Sequence, residues 1–330
     1  MTNDDIDRVL ATVKKSVKGF VGRGDNPEAT LKRVPFDIPV LDRILGGGLV
    51  RGRIHLFTGQ YSTCKTLLTQ IAMSQVQRMG GRAAFIDAER RYDPEWFELT
   101  GVNIKDLILI KPNFGEEAID AAILLVKEKI DIVVIDSFAG LLPIDEADEG
   151  MEQKFIGLQA RMMNKAFKKI VPINNDTVII ATNQMRENIG NSYHPGINQS
   201  MPGGKGQFYF SSLILETRRR GWLTKNIKTG KVEEGTASKD SQKVGFIVEC
   251  FMTKCNFAPP LQSCQIPFNF IEGTLDNVAS VVELAIETGV IKQTGAWYSY
   301  KDQKLMGRQS VCDYFEENKD EFEEVKKEVL

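Results

Sequence analysis

An α/β fold, built on a mostly parallel sheet covered by helices on both faces, is predicted by two features of this 330-residue chain. Short apolar, β-branched runs recur at Ile54–Thr58, Ala83–Asp87, Ile132–Asp136 and Thr177–Ala181, and longer amphipathic stretches separate them. Strands that are apolar along nearly their whole length need cover on both faces, and helices on either side of a parallel sheet supply it. The first run also leads through a glycine-led loop into a helix-forming stretch, and ligands of such sheets bind at the carboxyl ends of the strands.

The composition is that of an ordinary globular protein. Hydrophobic residues make up 42% and charged residues 26%, which permits a sizeable core and excludes a disordered or low-complexity chain. The length implies two domains, or one large domain with additions. No apolar stretch approaches the roughly 20 residues a membrane span requires. The start, Met1 to Asp5, has neither the basic nor the apolar region of a secretory signal, so a cytoplasmic location without a membrane partner is expected. Lys and Arg number 42 against 44 Asp and Glu, so any surface for a polyanion must be local. Cys64, Cys250, Cys255, Cys264 and Cys312 show no C-x-x-C spacing, and the only histidines are His55 and His194. Neither a disulfide framework nor a zinc site is expected, and all the cysteines but Cys64 read as packed thiols.

In chain order, Ile6, Val9, Leu10, Val13 and Val17 repeat at helical spacing, with Asp4, Asp5 and Asp7 at the start and Lys14, Lys15 and Lys18 near the end. This is a short amphipathic helix whose charges match its dipole. Residues 19–33 are rich in Gly, Asn, Pro and charge, a linker. Two readings of the apolar stripe stand side by side: it folds onto its own core, or it docks on another subunit. After Gly273 the pattern changes to a helix near Val278–Thr288, an aromatic segment at Trp297, Tyr298 and Tyr300, and a charged amphipathic end from Ser310 to Leu330. The expected organisation is a helix and linker over 1–33, a core over 34–273 and a small domain over 274–330.

The run Ile54–Thr58 continues into Gly59-Gln60-Tyr61-Ser62-Thr63-Cys64-Lys65-Thr66 and then Leu67 to Ala72, the strand, loop and helix order of a phosphate-binding loop, one glycine short. Backbone N–H groups at such a helix N-terminus cradle phosphates, Lys65 bridges the terminal ones, and the Thr66 hydroxyl reaches Mg2+. Asp136 ends a second apolar strand where a hydrated Mg2+ would sit, or else caps the backbone beyond it. Glu89, in Phe85-Ile86-Asp87-Ala88-Glu89, ends a third and is placed to orient water for attack on a γ-phosphate. Cys64, beside Lys65 at a helix N-terminus, is expected to favour the thiolate and to be shielded by ATP. Because a left-handed backbone costs a non-glycine residue on the order of 1–2 kcal/mol, the loop is expected to relax to ordinary dihedrals there.

Phe85–Glu89, Gly157-Leu158-Gln159-Ala160-Arg161-Met162-Met163, Asn183-Gln184-Met185-Arg186, Gly203-Gly204 and Gly295-Ala296-Trp297-Tyr298-Ser299-Tyr300 follow one another in an order and spacing that resembles the RecA recombinases over nearly the whole chain. The last hexapeptide lies outside the ATPase core and points to the recombinase branch. The resemblance implies a RecA-type P-loop ATPase core, an N-terminal oligomerisation helix and a small α+β C-terminal domain. It implies a DNA-dependent ATPase using ATP and Mg2+, a homo-oligomer that forms a helical filament on single-stranded DNA, pairs it with duplex DNA and exchanges strands.

Carried over by position, the resemblance makes Gly59, Gln60, Tyr61, Ser62, Thr63, Cys64, Lys65 and Thr66 the nucleotide loop. Glu89 becomes the catalytic base, Asp136 with Thr66 the Mg2+ residues, and Gln184 the γ-phosphate sensor. Asp93 and Trp96 fall where adenine is held, although Trp96 also reads as core. Lys254 falls where a lysine pair reaches the neighbouring subunit's nucleotide. Asn256 replaces its companion, which puts cross-subunit activation in question. Two DNA loops are implied, at about 145–156 and 186–206. Ile156 and Ile189 would wedge between nucleotide triplets; Arg161, Lys168 and Arg186 would contact phosphates; Gly203, Gly204 and Lys205 belong to the second loop. Lys168 reads equally as a solvated helix face. Cys64 in place of glycine is similar to phage members of the family. The long acidic tail of bacterial members is replaced by a mixed-charge stretch, Glu316–Glu328. The Arg218-Arg219-Arg220 cluster, with Lys225, Lys228 and Lys231, either touches duplex DNA or faces solvent.

Overall fold

The computed structural model describes residues 3–26, 30–147, 157–187, 199–230, 232–235, 238 and 240–329. The chain divides into two compact units, Met1–Lys32 and Arg33–Leu330. In the first, α1 (Asn3–Lys14) carries Asp4 and Asp5 in its first turn and Lys14 in its last, and none of its residues is buried. The helix stops short of the expected Val17, because the chain turns at Lys15 and Ser16. Arg23, in the linker, donates to Asp7 at 2.8 Å and to the Asn3 side chain at 3.1 Å.

In the second unit, α2 (Pro39–Ile44) starts with proline, which needs no backbone donor in a first turn. The sheet elements follow: β1 (Ile54–Gly59), α3 (Lys65–Arg78), β2 (Ala83–Asp87), α4 (Pro94–Leu99), β3 (Leu107–Ile110), α5 (Gly115–Lys127) and β4 (Ile132–Asp136). Next come α6 (Leu158–Ile170), β5 (Val178–Gln184), α7 (Gly206–Phe210), β6 (Leu213–Asn226), β7 (Ser241–Cys255), β8 (Ser263–Asn269) and β9 (Thr274–Leu275). Among the described residues the strands lie in the order β9-β8-β7-β6-β1-β5-β4-β2-β3, with Val232–Glu234 also paired to β6. From β6 to β3 each neighbouring pair is parallel, while β7, β8 and β9 add antiparallel pairs.

The parallel strands alternate side chains between two cores, as their period of two requires. Phe57, Phe85, Val134 and Ile180 face the core that holds Leu68, Met73 and Val76 of α3. Leu56, Ile86, Val133 and Ile179 face the other, with Ala122 and Val126 of α5 and Met163 and Phe167 of α6. Burying one such aliphatic side chain stabilises by roughly 1.5–3 kcal/mol, so the two-sided burial is what fixes the strand register.

The ribbon formed by β6 and β7 holds the arginine cluster. Arg218 pairs with Glu216 at 2.7 Å, Arg220 with Glu249 at 2.7 Å, and the Arg219 guanidinium lies over the rings of Trp222 and Phe246. Acids and aromatic faces within the ribbon therefore engage the cluster.

Beyond Gly273, α8 (Asn277–Thr288) is capped by Asp276, which accepts from the Ala279 N–H at 2.9 Å. A three-stranded sheet containing Trp297–Tyr300 and the helices α9 (Arg308–Glu317) and α10 (Lys319–Val329) complete the segment. Val281, Tyr298, Val311, Phe315 and Val325 give it a core of its own. Leu284 nevertheless joins the larger core, and ion pairs Lys326–Asp37 and Arg43–Glu287, each 2.6 Å, tie it to the segment around α2. No helix among the described residues is long and apolar enough to cross a membrane.

Buried Asp42 accepts the N–H groups of Phe36 at 2.7 Å and Ile38 at 3.2 Å, and burial pushes its carboxyl up to about 6 despite those bonds. The folded state thus binds this proton more tightly than the unfolded chain, so the group adds stability below the unfolded value of 3.8 and loses it as pH rises through 6. Relative to Asp42→Asn, the parent should be more stable at pH 4 than at pH 7 by about 2–3 kcal/mol in urea titrations. A pH-independent difference would show an ordinary carboxylate.

Candidate functional site

The site begins where β1 stops. Gly59 has φ 148°, and a Cβ there would lie 2.8 Å from the Thr63 hydroxyl, so only glycine lets the loop turn beside β6. Thr63 closes the loop by donating to the Gln60 carbonyl at 2.9 Å, and its hydroxyl shares a 2.8 Å hydrogen bond with that of Thr217. Lys65 Nζ donates to the Gly59 and Gln60 carbonyls at 3.1 and 2.5 Å. The lysine therefore hangs over the loop whose N–H groups open α3, the arrangement that cradles phosphates. Burial lowers the Lys65 pKa, and Asp136 and Glu89 partly restore it.

Cys64 departs from both expectations. It keeps the left-handed backbone, φ 69° and ψ 19°, because the turn into α3 demands it. Burial pushes its thiol well up, and Lys65 opposes this only weakly, so desolvation outweighs the helix dipole and the reactive thiolate is not favoured.

Three more strand ends converge on the loop. Asp136 accepts from the Thr66 hydroxyl at 2.7 Å and, through its other oxygen, from Thr182. Both oxygens are thus engaged inside the cleft and not in capping. Burial raises the Asp136 pKa while these two hydroxyls oppose the shift. Glu89 accepts from the Ser137 hydroxyl and, at 3.4 Å, from the Gln184 amide, and its second oxygen lies 3.1 Å from Arg91.

A cleft of about 440 Å³ joins Tyr61–Leu67, Glu89, Arg91, Asp136 and Gln184 to an apolar end made by Trp96, Phe246, Phe268 and Phe270. That volume lies in the range of small-ligand sites. Trp96 packs against the core and also lines the cleft. Asp93 caps α4 by accepting the Glu95 N–H at 3.1 Å. The phenylalanine wall was not anticipated; its one local signal is the i, i+2 pair Phe268 and Phe270, while Phe246 joins through its pairing with Phe268 across β7 and β8. Among the described residues no group of three or more His, Cys, Asp or Glu could enclose a metal. The hard oxygens of Thr66 and Asp136 instead fit Mg2+, which keeps waters and takes phosphate oxygens.

The expected DNA residues scatter along the two strands' continuations. Ile156 and Ile189 lie outside the described residues. Arg161 and Lys168 are exposed, two turns apart on α6. Arg186 sits in a short strand, Arg186–Glu187, paired antiparallel with Gln199–Ser200. Gly203 and Gly204 have φ of 89° and 75°, and a Cβ on Gly204 would lie 2.7 Å from that of Ala160. Lys205 is exposed at the start of α7. Lys254 Nζ donates to the carbonyls of Phe208 and Ser211 at 2.7 Å and of Tyr209 at 3.3 Å, binding the end of α7. Within this chain it does not line the cleft.

The Cys64 backbone sets a substitution test. Cys64→Val should lose about 1–2 kcal/mol in urea unfolding, since a β-branched residue resists positive φ, while Cys64→Gly should not be destabilised by more than about 1 kcal/mol. Equal losses in both would indicate packing and not backbone strain.

Comparison with known proteins agrees with this geometry. Residues 5–274 match the RecA N-terminal domain and residues 279–330 the RecA C-terminal domain. Protein RecA of Lactobacillus johnsonii is 35% identical over 340 residues, an alignment covering 100% of this chain and 90% of that one. Protein RecA of Thermus aquaticus is 33% identical over 332 residues, covering 98% and 93%, and that of Bacillus subtilis 34% over 322 residues, covering 96% and 88%. With a phosphate loop, three converging strand-end side chains and both domain matches in place, the chain belongs to the RecA family.

Proposed function

We propose that this ATP-dependent recombinase polymerises as a helical filament on single-stranded DNA, pairs it with duplex DNA and exchanges strands, with ATP binding as the switch and hydrolysis as the reset. One observation carries the reading: hydrogen bonds run from the catalytic cleft to the base of the second loop. Gln184 reaches Glu89 at one end. Its own N–H donates to the Asn183 side chain at 2.9 Å; the Asn183 amide donates to Gln207 at 2.7 Å and to the Pro202 carbonyl at 2.9 Å; Gln207 donates to the carbonyls of Pro202 and Gly204 at 2.7 and 3.0 Å. A change at the terminal phosphate thereby reaches Gly203, Gly204 and Lys205 within a few residues, which is what coupling nucleotide to DNA requires.

In this reading the base stacks between Trp96 and the phenylalanine wall, and the loop N–H groups with Lys65 hold the phosphates. Thr66 and Asp136 would hold Mg2+, which would supply neutralisation of the phosphate charge. Glu89 takes a proton from the attacking water; the water oxygen bonds to the γ-phosphorus as its bond to the bridging oxygen breaks, leaving ADP and phosphate. Arg161, Lys168 and Arg186 would hold the DNA backbone, Ile156 and Ile189 would separate triplets, and Lys254 would face the neighbouring subunit. The unburied stripe of α1, with Val9 half exposed, supports docking on the next subunit.

Electron microscopy with single-stranded DNA and ATP tests the assignment: long helical filaments are expected, and closed rings or unassembled protein would overturn it. Glu89→Gln should keep ATP and DNA binding and lose at least about 100-fold in hydrolysis, because the amide still binds water but accepts no proton. Undiminished DNA-stimulated turnover would remove Glu89 from the chemistry. Deleting residues 1–24 should leave a folded, nucleotide-binding monomer by light scattering; an insoluble product would place α1 within its own core.

A further inference from the structure

The loop after β2 is held more firmly than its length requires. Buried Asp87 accepts the N–H groups of both Arg91 and Tyr92 at 2.9 Å. Arg90 takes a left-handed turn, φ 58°, and its guanidinium donates to the Pro112 carbonyl and the Asn113 side chain, each at 2.9 Å. The direction in which the Arg91 side chain leaves the backbone is therefore set. That side chain is 76% exposed and pairs with Glu89, itself only 15% exposed. Among the described residues, Arg91 and Lys65 are the two cationic residues lining the cleft, which also holds the carboxylates of Glu89 and Asp136.

We propose that Arg91 is a phosphate-binding residue acting within its own chain, whose guanidinium exchanges between Glu89 and the terminal phosphate of a bound nucleoside triphosphate. This rests on the nucleotide reading of the cleft. With the Arg91 side chain 76% exposed, solvent screens the pair, so little holds Arg91 on Glu89. A phosphate offers the same guanidinium two parallel, charge-assisted hydrogen bonds and more charge. Leaving Glu89 does not strand that carboxylate, because its other oxygen stays bound to the Ser137 hydroxyl. The move also frees the Glu89 oxygen that must take the proton from water, so phosphate recognition and base release become one event. Lys65 shows the proximity involved: burial does most to lower its pKa, and Arg91 adds to the lowering.

The test measures ADP and a non-hydrolysable ATP analogue binding to the full-length parent, Arg91→Ala and Arg91→Lys in the presence of Mg2+, alongside hydrolysis. Arg91→Ala should bind ADP within twofold of the parent, lose about tenfold in affinity for the analogue, and hydrolyse ATP about 100-fold more slowly. Arg91→Lys should fall between, and added guanidinium ion should recover part of the Arg91→Ala rate. A purely structural ion pair would weaken both nucleotides alike. That result overturns the proposal, as do unchanged analogue binding and an Arg91→Ala enzyme as fast as the parent. If the parent binds neither nucleotide, the cleft is not a nucleotide site and both readings fall together.

Discussion

Everything chemical in this molecule depends on the register of four parallel strands. Gly59 lies opposite Gln184 across β1 and β5, and Asp87 opposite Asp136 across β2 and β4. Because each strand buries alternate residues in two different cores, a slip of one position would exchange Phe85 with Ile86 and Val133 with Val134 and disturb both cores together. The register is thus paid in apolar burial far from the site. Its product is polar: at the common edge the strands run out of core and deliver Thr182, Asp136 and Gln184 within hydrogen-bonding reach of Thr66 and Glu89.

This division explains what was legible in the sequence. Apolar runs that end in Asp136 or in Asp87-Ala88-Glu89 announce both the strand and the polar residues at its tip, and the Lys65-Thr66 pair announces the turn into α3. The sheet edge past β6 was not legible. Phe246 and Phe268 become neighbours only through the pairing of β7 with β8, and neither run resembles the continuous apolar strands of the centre. The partners of the arginine cluster were hidden for the same reason, since Glu249 arrives from 29 positions beyond Arg220 to pair with it.

Cys64 shows two local rules in competition. A thiol at a helix N-terminus beside a lysine is ordinarily acidified, and a side chain ordinarily avoids positive φ. The loop overrides both, because the chain must leave β1 at a glycine in contact with β6, close through Thr63 and enter α3 with its N–H groups facing the cleft. Under those constraints the residue before Lys65 takes the left-handed turn whatever its side chain. The partly buried side chain then packs against the large apolar cluster, where desolvation pushes the thiol up. Backbone geometry is decided first, and thiol chemistry follows from where the backbone leaves the sulfur.

Two routes lead from the cleft toward the residues proposed to bind DNA, and both start on adjacent strands. From β4, the turn after Asp136 is gripped by Gln159 of α6, which donates to the Phe138 and Leu141 carbonyls at 2.9 and 3.0 Å, so the helix carrying Arg161 and Lys168 is fixed to the sheet edge that carries Asp136. From β5, the Asn183 and Gln207 amides clamp the chain at Pro202 and Gly204. The bond lengths are unequal in an informative way. The clamp bonds measure 2.7–3.0 Å and are buried or partly buried, whereas Gln184 meets Glu89 at 3.4 Å. In the proposed coupling, a weak contact at the cleft end would exchange partners at little cost, and stiff contacts beyond it would carry the displacement without absorbing it. A switch needs that order of strengths, since a tight bond at Gln184 would hold one state and a loose clamp at Gln207 would let the loop ignore the nucleotide.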